Sequence, residues 1–166
     1  VATEVDDCFN ALSREDVPAL FWYGFNLAAF INRNLDSVAA LGQGVFVEKA
    51  MQRIIALQED YMFGSAHLLL MAYYGSRSPM MGGSAEKAKQ HYDRIQILTQ
   101  KKFLLADVYY ARYALVQQNN QSEFEKLLRP LLKQSIQPSE PSTLRLYNEL
   151  AKNRAQLYLK SIDDLF

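Results

Sequence analysis

Apolar residues recur at helical spacing along most of this chain, and no stretch shows the strict alternation of a half-buried strand. The clearest segment runs from Tyr61 to Leu98: an apolar helix, a Ser/Pro/Gly loop, then an amphipathic helix. The first helix is apolar nearly all round, which predicts burial between neighbours. The second opens at Gly82-Gly83-Ser84, with Ser84 as N-cap. Ala85, Ala88, Tyr92 and Ile95 share one of its faces, while Lys87, Lys89, Asp93 and Arg94 point outward. A helical hairpin of this kind needs a further hairpin on each side to cover its apolar surfaces.

The remaining elements follow the same logic. Residues 1–12 read as a short, weakly patterned helix. Ser13-Arg14-Glu15-Asp16 marks a new start, with Pro18 in the first turn, where a missing N–H is harmless. The helix that follows carries Leu20, Phe21, Trp22, Phe25, Leu27, Ala28, Phe30 and Ile31 and ends near Asn32 to Asn34. A helical turn after Asp36 is broken at Gly42-Gln43-Gly44. Residues 45–59 then form a helix with Val47, Ala50, Met51, Ile54 and Leu57 inward. Beyond the hairpin, residues 103–118 predict another buried helix, and Ser122 is placed to cap the next. Pro130 should weaken or kink that helix. Pro138-Ser139-Glu140-Pro141 is a breaker, and Ser142 is placed to cap a last helix with Leu144, Tyr147, Leu150, Ala151 and Ala155 inward.

Glu48-Lys49-Ala50, Glu86-Lys87-Ala88 and Glu125-Lys126-Leu127 recur at steps of 38 and 39 residues. In the first two copies the small residue is followed at +4 and +7 by Ile54 and Leu57, or by Tyr92 and Ile95. That is the spacing of the second helix of a tetratricopeptide repeat, although the period exceeds the repeat's usual length of about 34 residues. The prediction is an all-α fold: a TPR-like, right-handed stack of helical hairpins with a C-terminal capping helix, forming one domain over residues 1–166.

Composition narrows the function classes. With 49% hydrophobic and 22% charged residues the chain is globular, not disordered. Its 18 basic and 18 acidic residues are interspersed, which removes the broad cationic footprint of a nucleic-acid binder. One cysteine, Cys8, allows no internal disulfide, and Val5-Asp6-Asp7 before it is not the apolar run that precedes a lipidated cysteine. No stretch reaches the roughly 18 uninterrupted apolar residues of a membrane span.

Enzyme chemistry finds no support in the motifs. Gly42-Gln43-Gly44 and Gly82-Gly83-Ser84 lack the Lys-Ser/Thr of a phosphate loop and follow no strand, so they read as helix stops and caps. His67 and His91 stand alone, without the spacing of a zinc helix, and His67 reads as a hydrogen-bonded core histidine. The expectation is a non-enzyme with no metal or cofactor. What stands out is a polar-aromatic set on the first helices of the hairpins, which would line a concave groove. Its candidate binding residues are Trp22, Tyr23, Asn26, Tyr73, Tyr74, Arg77, Tyr109, Arg112 and Tyr113. Core packing is the preferred reading of Trp22 and of Tyr110. For Tyr23, Asn26, Tyr74 and Arg77 groove and core are equal alternatives. Arg112 and Arg154, on largely apolar helices, are either paired core-edge arginines or groove charges.

Several segments in this order resemble the TRAP transporter T-component (TatT) family. They are Leu20-Phe21-Trp22 to Ile31, Met62-Phe63-Gly64-Ser65-Ala66-His67-Leu68, Ser78-Pro79-Met80-Met81-Gly82-Gly83-Ser84-Ala85-Glu86-Lys87-Ala88, Tyr110-Ala111-Arg112-Tyr113 and Ile162-Asp163-Asp164-Leu165-Phe166. The resemblance implies a TPR-fold periplasmic lipoprotein that holds or assists the solute-binding protein of a tripartite ATP-independent periplasmic transporter. It also implies membrane attachment through a lipid anchor that this stretch does not contain. The chain then reads as the C-terminal part of such a protein or as a shortened relative. Two alternatives stay open beside it: a generic TPR adaptor gripping a peptide, and a small-molecule carrier with an aromatic-lined cavity. Homo-oligomerisation is left open, and no nucleic-acid partner is expected.

Overall fold

The computed structural model describes residues 7–166. Among the described residues every regular element is helical, so the all-α expectation holds. Residues 7–10 are helical, and the first six positions of the weak N-terminal helix lie outside the described residues. The chain divides into two compact units, Val1–Leu69 and Leu70–Phe166.

In the first unit, Ser13 and Asp16 close a one-turn 3-10 helix, Arg14–Asp16: the Ser13 backbone N–H and hydroxyl both donate to Asp16 Oδ2, at 2.8 and 2.9 Å. Helix α1, Val17–Arg33, then buries Val17, Leu20, Phe21, Gly24 and Ile31 along one face. Ser37 caps the short α2, Val38–Gly42, by accepting from the Ala40 N–H at 3.3 Å. Helix α3, Gly44–Gln58, buries Val47, Ala50, Met51 and Ile54, as its periodicity predicts, while Leu57 is only half-buried.

Helices α1 and α3 cross at two small residues. A Cβ built on Gly24 would sit 2.3 Å from Met51 Cε and 3.4 Å from Ala50 Cβ. The small residue that opens the recurring pattern therefore does mark a close helix–helix approach here. Three successive left-handed residues end the segment after α3: Met62 (φ 46°), Phe63 (φ 63°) and Gly64 (φ 75°). Helix α4, Ser65–Gly75, begins only beyond them, four residues later than the apolar run suggests. It is buried over most of its length, as its all-round apolar character predicts.

In the second unit, the loop after α4 holds a 3-10 turn, Pro79–Met81, and a left-handed Gly82 (φ 81°). Ser84 caps α5, Ala85–Leu98, by accepting from the Lys87 N–H at 3.2 Å, and Ala88 and Ile95 are fully buried. The predicted helix over 103–118 is shorter and irregular. Helix α6, Leu105–Tyr110, passes into a π-helical turn, Ala111–Leu115, with the Val116 N–H donating to Ala111 O at 3.2 Å.

Three expected boundaries move. Asn120, not Ser122, caps α7, Gln121–Leu128: its side chain accepts from the Glu123 N–H at 3.2 Å and so uses the preceding polar turn. The helix stops at Leu128, and Pro130 opens a 3-10 turn, Pro130–Lys133, so it ends the helix where a kink was one alternative. Pro141 occupies the cap position of α8, Ser142–Lys160, and Ser142 is already helical. Along α8, Leu144, Ala151 and Ala155 are inward as predicted. Leu150 is exposed, and the polar Asn148 takes a place in the core.

Candidate functional site

In the first unit the candidates sit on α1. With about 100° per residue, Trp22 falls half a turn away from the Gly24 and Ile31 face that meets α3. Its ring is therefore 49% exposed, which corrects the core reading. Tyr23 and Phe30 are each 48% exposed, and Phe25 lies 5.6 Å from Trp22 in an edge-on contact. Asn26 lies on the same side but turns its Nδ2 back to Trp22 O at 2.7 Å. Helix α1 thus carries aromatic residues on both faces, one packed and one open.

In the second unit, Tyr73, Tyr74 and Arg77 gather at the end of α4. The Arg77 guanidinium lies 3.5 Å over the Tyr73 ring, one helical turn away. Tyr74 is buried, lies parallel to the His91 ring at 5.7 Å, and receives the Lys87 ammonium 4.7 Å from its centroid. A cleft of about 170 Å3 opens beside them, lined among others by Arg77, Ser84, Gln117 and Gln118. None of these lining residues except Tyr74 and Arg77 was a candidate from sequence, because polar loop residues carry no signal of a concave surface.

Tyr109, Arg112 and Tyr113 form a further group on α6 and its π turn. The two tyrosine rings lie 5.4 Å apart, and the Arg112 guanidinium is 5.9 Å from the Tyr113 ring. From α8, Arg154 donates through Nη1 to the Tyr109 hydroxyl at 3.2 Å. Tyr110 packs inward as expected, stacked on Tyr92 at 4.4 Å. Burial pushes the Tyr113 hydroxyl up, reinforced by Tyr109 and Tyr158, while Arg112 and Arg154 pull it down.

Two buried polar groups hold these helices. Asp107 accepts from the Tyr92 hydroxyl at 2.6 Å and from Gln96 Nε2 at 2.8 Å, tying α6 to α5. Asn148 ties α8 to the start of α6 through the Leu104 N–H and Lys102 O. Burial pushes the Asp107 carboxyl above its ordinary value of 3.8, and the bonds from Tyr92 and Gln96 and the Lys101 charge pull it partly back. The folded state thus keeps this proton to a higher pH than the unfolded chain does. The contribution of Asp107 to stability falls as pH rises from 3.8 through the folded value, and is level beyond it. Asp107→Asn keeps an acceptor oxygen for both donors and removes the buried charge. It is expected to be at least as stable at neutral pH and to lose that slope, measurable by urea melts between about pH 4 and 7. His67, in the first unit, is buried with Nε2 3.0 Å from Glu59 Oε1, a partnered core histidine as its surroundings predict.

The family model described as TRAP transporter T-component matches residues 1–166, the whole chain. The chain belongs to the TRAP transporter T-component family. No curated protein matches the chain. For this T-component the assignment places the tyrosine and arginine groups within an accessory protein of a TRAP transport system. Among the described residues of the T-component, no helix is long and apolar enough to cross a membrane.

Proposed function

We propose that this T-component is a non-catalytic, TPR-like docking scaffold for the periplasmic solute-binding protein of its TRAP system, working in the periplasm and tethered by a lipid anchor in the full-length protein. The observation that carries the proposal is the open aromatic face of α1, where Trp22, Tyr23, Phe25 and Phe30 are each at least 40% exposed. Aromatic rings on a rigid helix give large contact area at little entropic cost, and they are the common anchors of protein interfaces. The carrier alternative has less behind it: the cleft beside Tyr74 includes neither Trp22 nor Tyr110.

Isothermal titration against the cognate solute-binding protein tests the reading. Trp22→Ala is expected to weaken binding by about 2 kcal/mol, roughly thirtyfold, with the fold unchanged because the ring is half exposed. Affinity should change little between low and high salt, since the 18 positive and 18 negative residues give no long-range steering. Wild-type affinity in both Trp22→Ala and Phe30→Ala, or the absence of any binding, would overturn the docking role.

A further inference from the structure

We propose that Arg112 and Arg154, with the hydroxyls of Tyr109 and Tyr113, form a binding site for a carboxylate group. This site lies in the second unit and does not depend on docking through α1.

Three observations support it. First, two guanidiniums reach one tyrosine pair with no carboxylate between them. Among the described residues, neither Arg112 nor Arg154 has a carboxylate within 4.0 Å, although they come from different helices to one tyrosine pair. In a chain of zero net charge, two guanidiniums beside one tyrosine pair leave a local positive field to be met from outside.

Second, a hydrogen bond holds Arg154, and both guanidiniums lie near the tyrosine rings. Arg154 uses Nη1 on the Tyr109 hydroxyl at 3.2 Å and lies 5.7 Å from that ring, and Arg112 lies 5.9 Å from the Tyr113 ring. A guanidinium resting beside an aromatic ring keeps its planar fork free for bidentate contact and loses little freedom on binding. Both charges also act on the Tyr113 hydroxyl. Third, Arg112 and Tyr113 lie within the π-helical turn, Ala111–Leu115, a departure from helical geometry that recurs at functional sites. The tyrosine rings offer flanking surface to the organic body of a carboxylic acid, which an inorganic anion would leave unused.

The carboxylate can come from a free organic acid or from an acidic side chain of a protein, and the test separates the two. The Nε–Hε resonances of Arg112, Arg154, Arg77 and Arg129 are followed by NMR in the whole chain during titration with succinate, with a hexaglutamate peptide, and with sulfate at matched ionic strength. Saturable shifts at Arg112 and Arg154 alone are expected. Response to succinate identifies a free acid, and response to the peptide alone identifies a side-chain carboxylate. Arg154→Gln, checked for an unchanged melt, should weaken the response at least about tenfold. Equal shifts at Arg77, an equal response to sulfate, or no saturable shift in the wild-type chain would overturn the site.

Discussion

Replacing Asn148 by alanine is expected to cost the fold about 2–4 kcal/mol, since one buried and one part-buried hydrogen bond to the main chain are lost together. Asn148 is only 3% exposed. Its Oδ1 accepts from the Leu104 N–H at 3.0 Å, and its Nδ2 donates to Lys102 O at 2.8 Å. Both partners lie just before α6, where backbone N–H groups have no helical acceptor and a buried one needs an outside partner. Alanine removes both bonds and strands the buried Leu104 N–H, while the part-buried Lys102 carbonyl loses its donor. Asn148→Asp would keep the acceptor but set a carboxylate against the Lys102 carbonyl, so it should not rescue the loss. On the same helix, Asn153 is exposed, and Asn153→Ala should be neutral or slightly stabilising through helix propensity. Urea melts of the three variants check the assignment, and equal midpoints for Asn148→Ala and Asn153→Ala would refute it.

Gly83→Ala is expected to be comparably damaging, about 3 kcal/mol, for a steric reason. An added Cβ would lie 1.9 Å from Arg77 O, 2.5 Å from Arg77 C and 2.9 Å from Ser78 O. These are main-chain atoms, so no side-chain rotation relieves the overlap. The loop cannot simply back away either: the Gly83 N–H donates to Ser78 O at 3.0 Å and the Ser84 N–H donates to Tyr74 O at 2.9 Å. Displacing the loop would also pull Arg77 from the Tyr73 ring and open the cleft beside Tyr74. A urea melt with near-ultraviolet circular dichroism of the tyrosines reads both effects. Gly42→Ala is the control: nothing lies within 4 Å of its added Cβ, and it ends a short helix, so the change should be near neutral. If Gly83→Ala melts like Gly42→Ala, the tight packing of the loop is refuted.

Helix faces were legible in the sequence wherever one side was apolar and the other was not. Val47, Ala50, Met51 and Ile54 on α3, and Ala88 and Ile95 on α5, went inward as their spacing predicts. Helix α1 was harder because apolar and aromatic residues occur on both sides. Periodicity then does not say which side is packed, and Trp22, for which core packing is the preferred sequence reading over the groove, faces outward. Caps were ambiguous where two capable residues lay close together, as with Asn120 and Ser122. The π turn at Ala111–Leu115 leaves no mark in an apolar run, since a shift in hydrogen-bond register changes no residue type. Asp107 and Asn148 escaped for the opposite reason: single polar residues on a helix read as solvent-facing until their buried partners are known. The tyrosine and arginine candidates were recognisable as a class, but their grouping depends on contacts across helices, such as Arg154 with Tyr109, which local spacing does not encode.

The left-handed residues Met62, Phe63 and Gly64 decide the chain's path in a way that no apolar contact does. From Gly44 to Gly75 there is no proline, and most residues are good helix formers. Right-handed dihedrals at those three positions would allow one unbroken rod of 32 residues, about 48 Å long, in place of two helices. Two of the three residues are not glycine, and each left-handed residue with a side chain costs about 1–2 kcal/mol. The connectivity of this region therefore rests on a locally unfavourable backbone, stabilised only once the helices on either side are packed. Until then, the straight rod is the competing structure that the folding chain has to avoid.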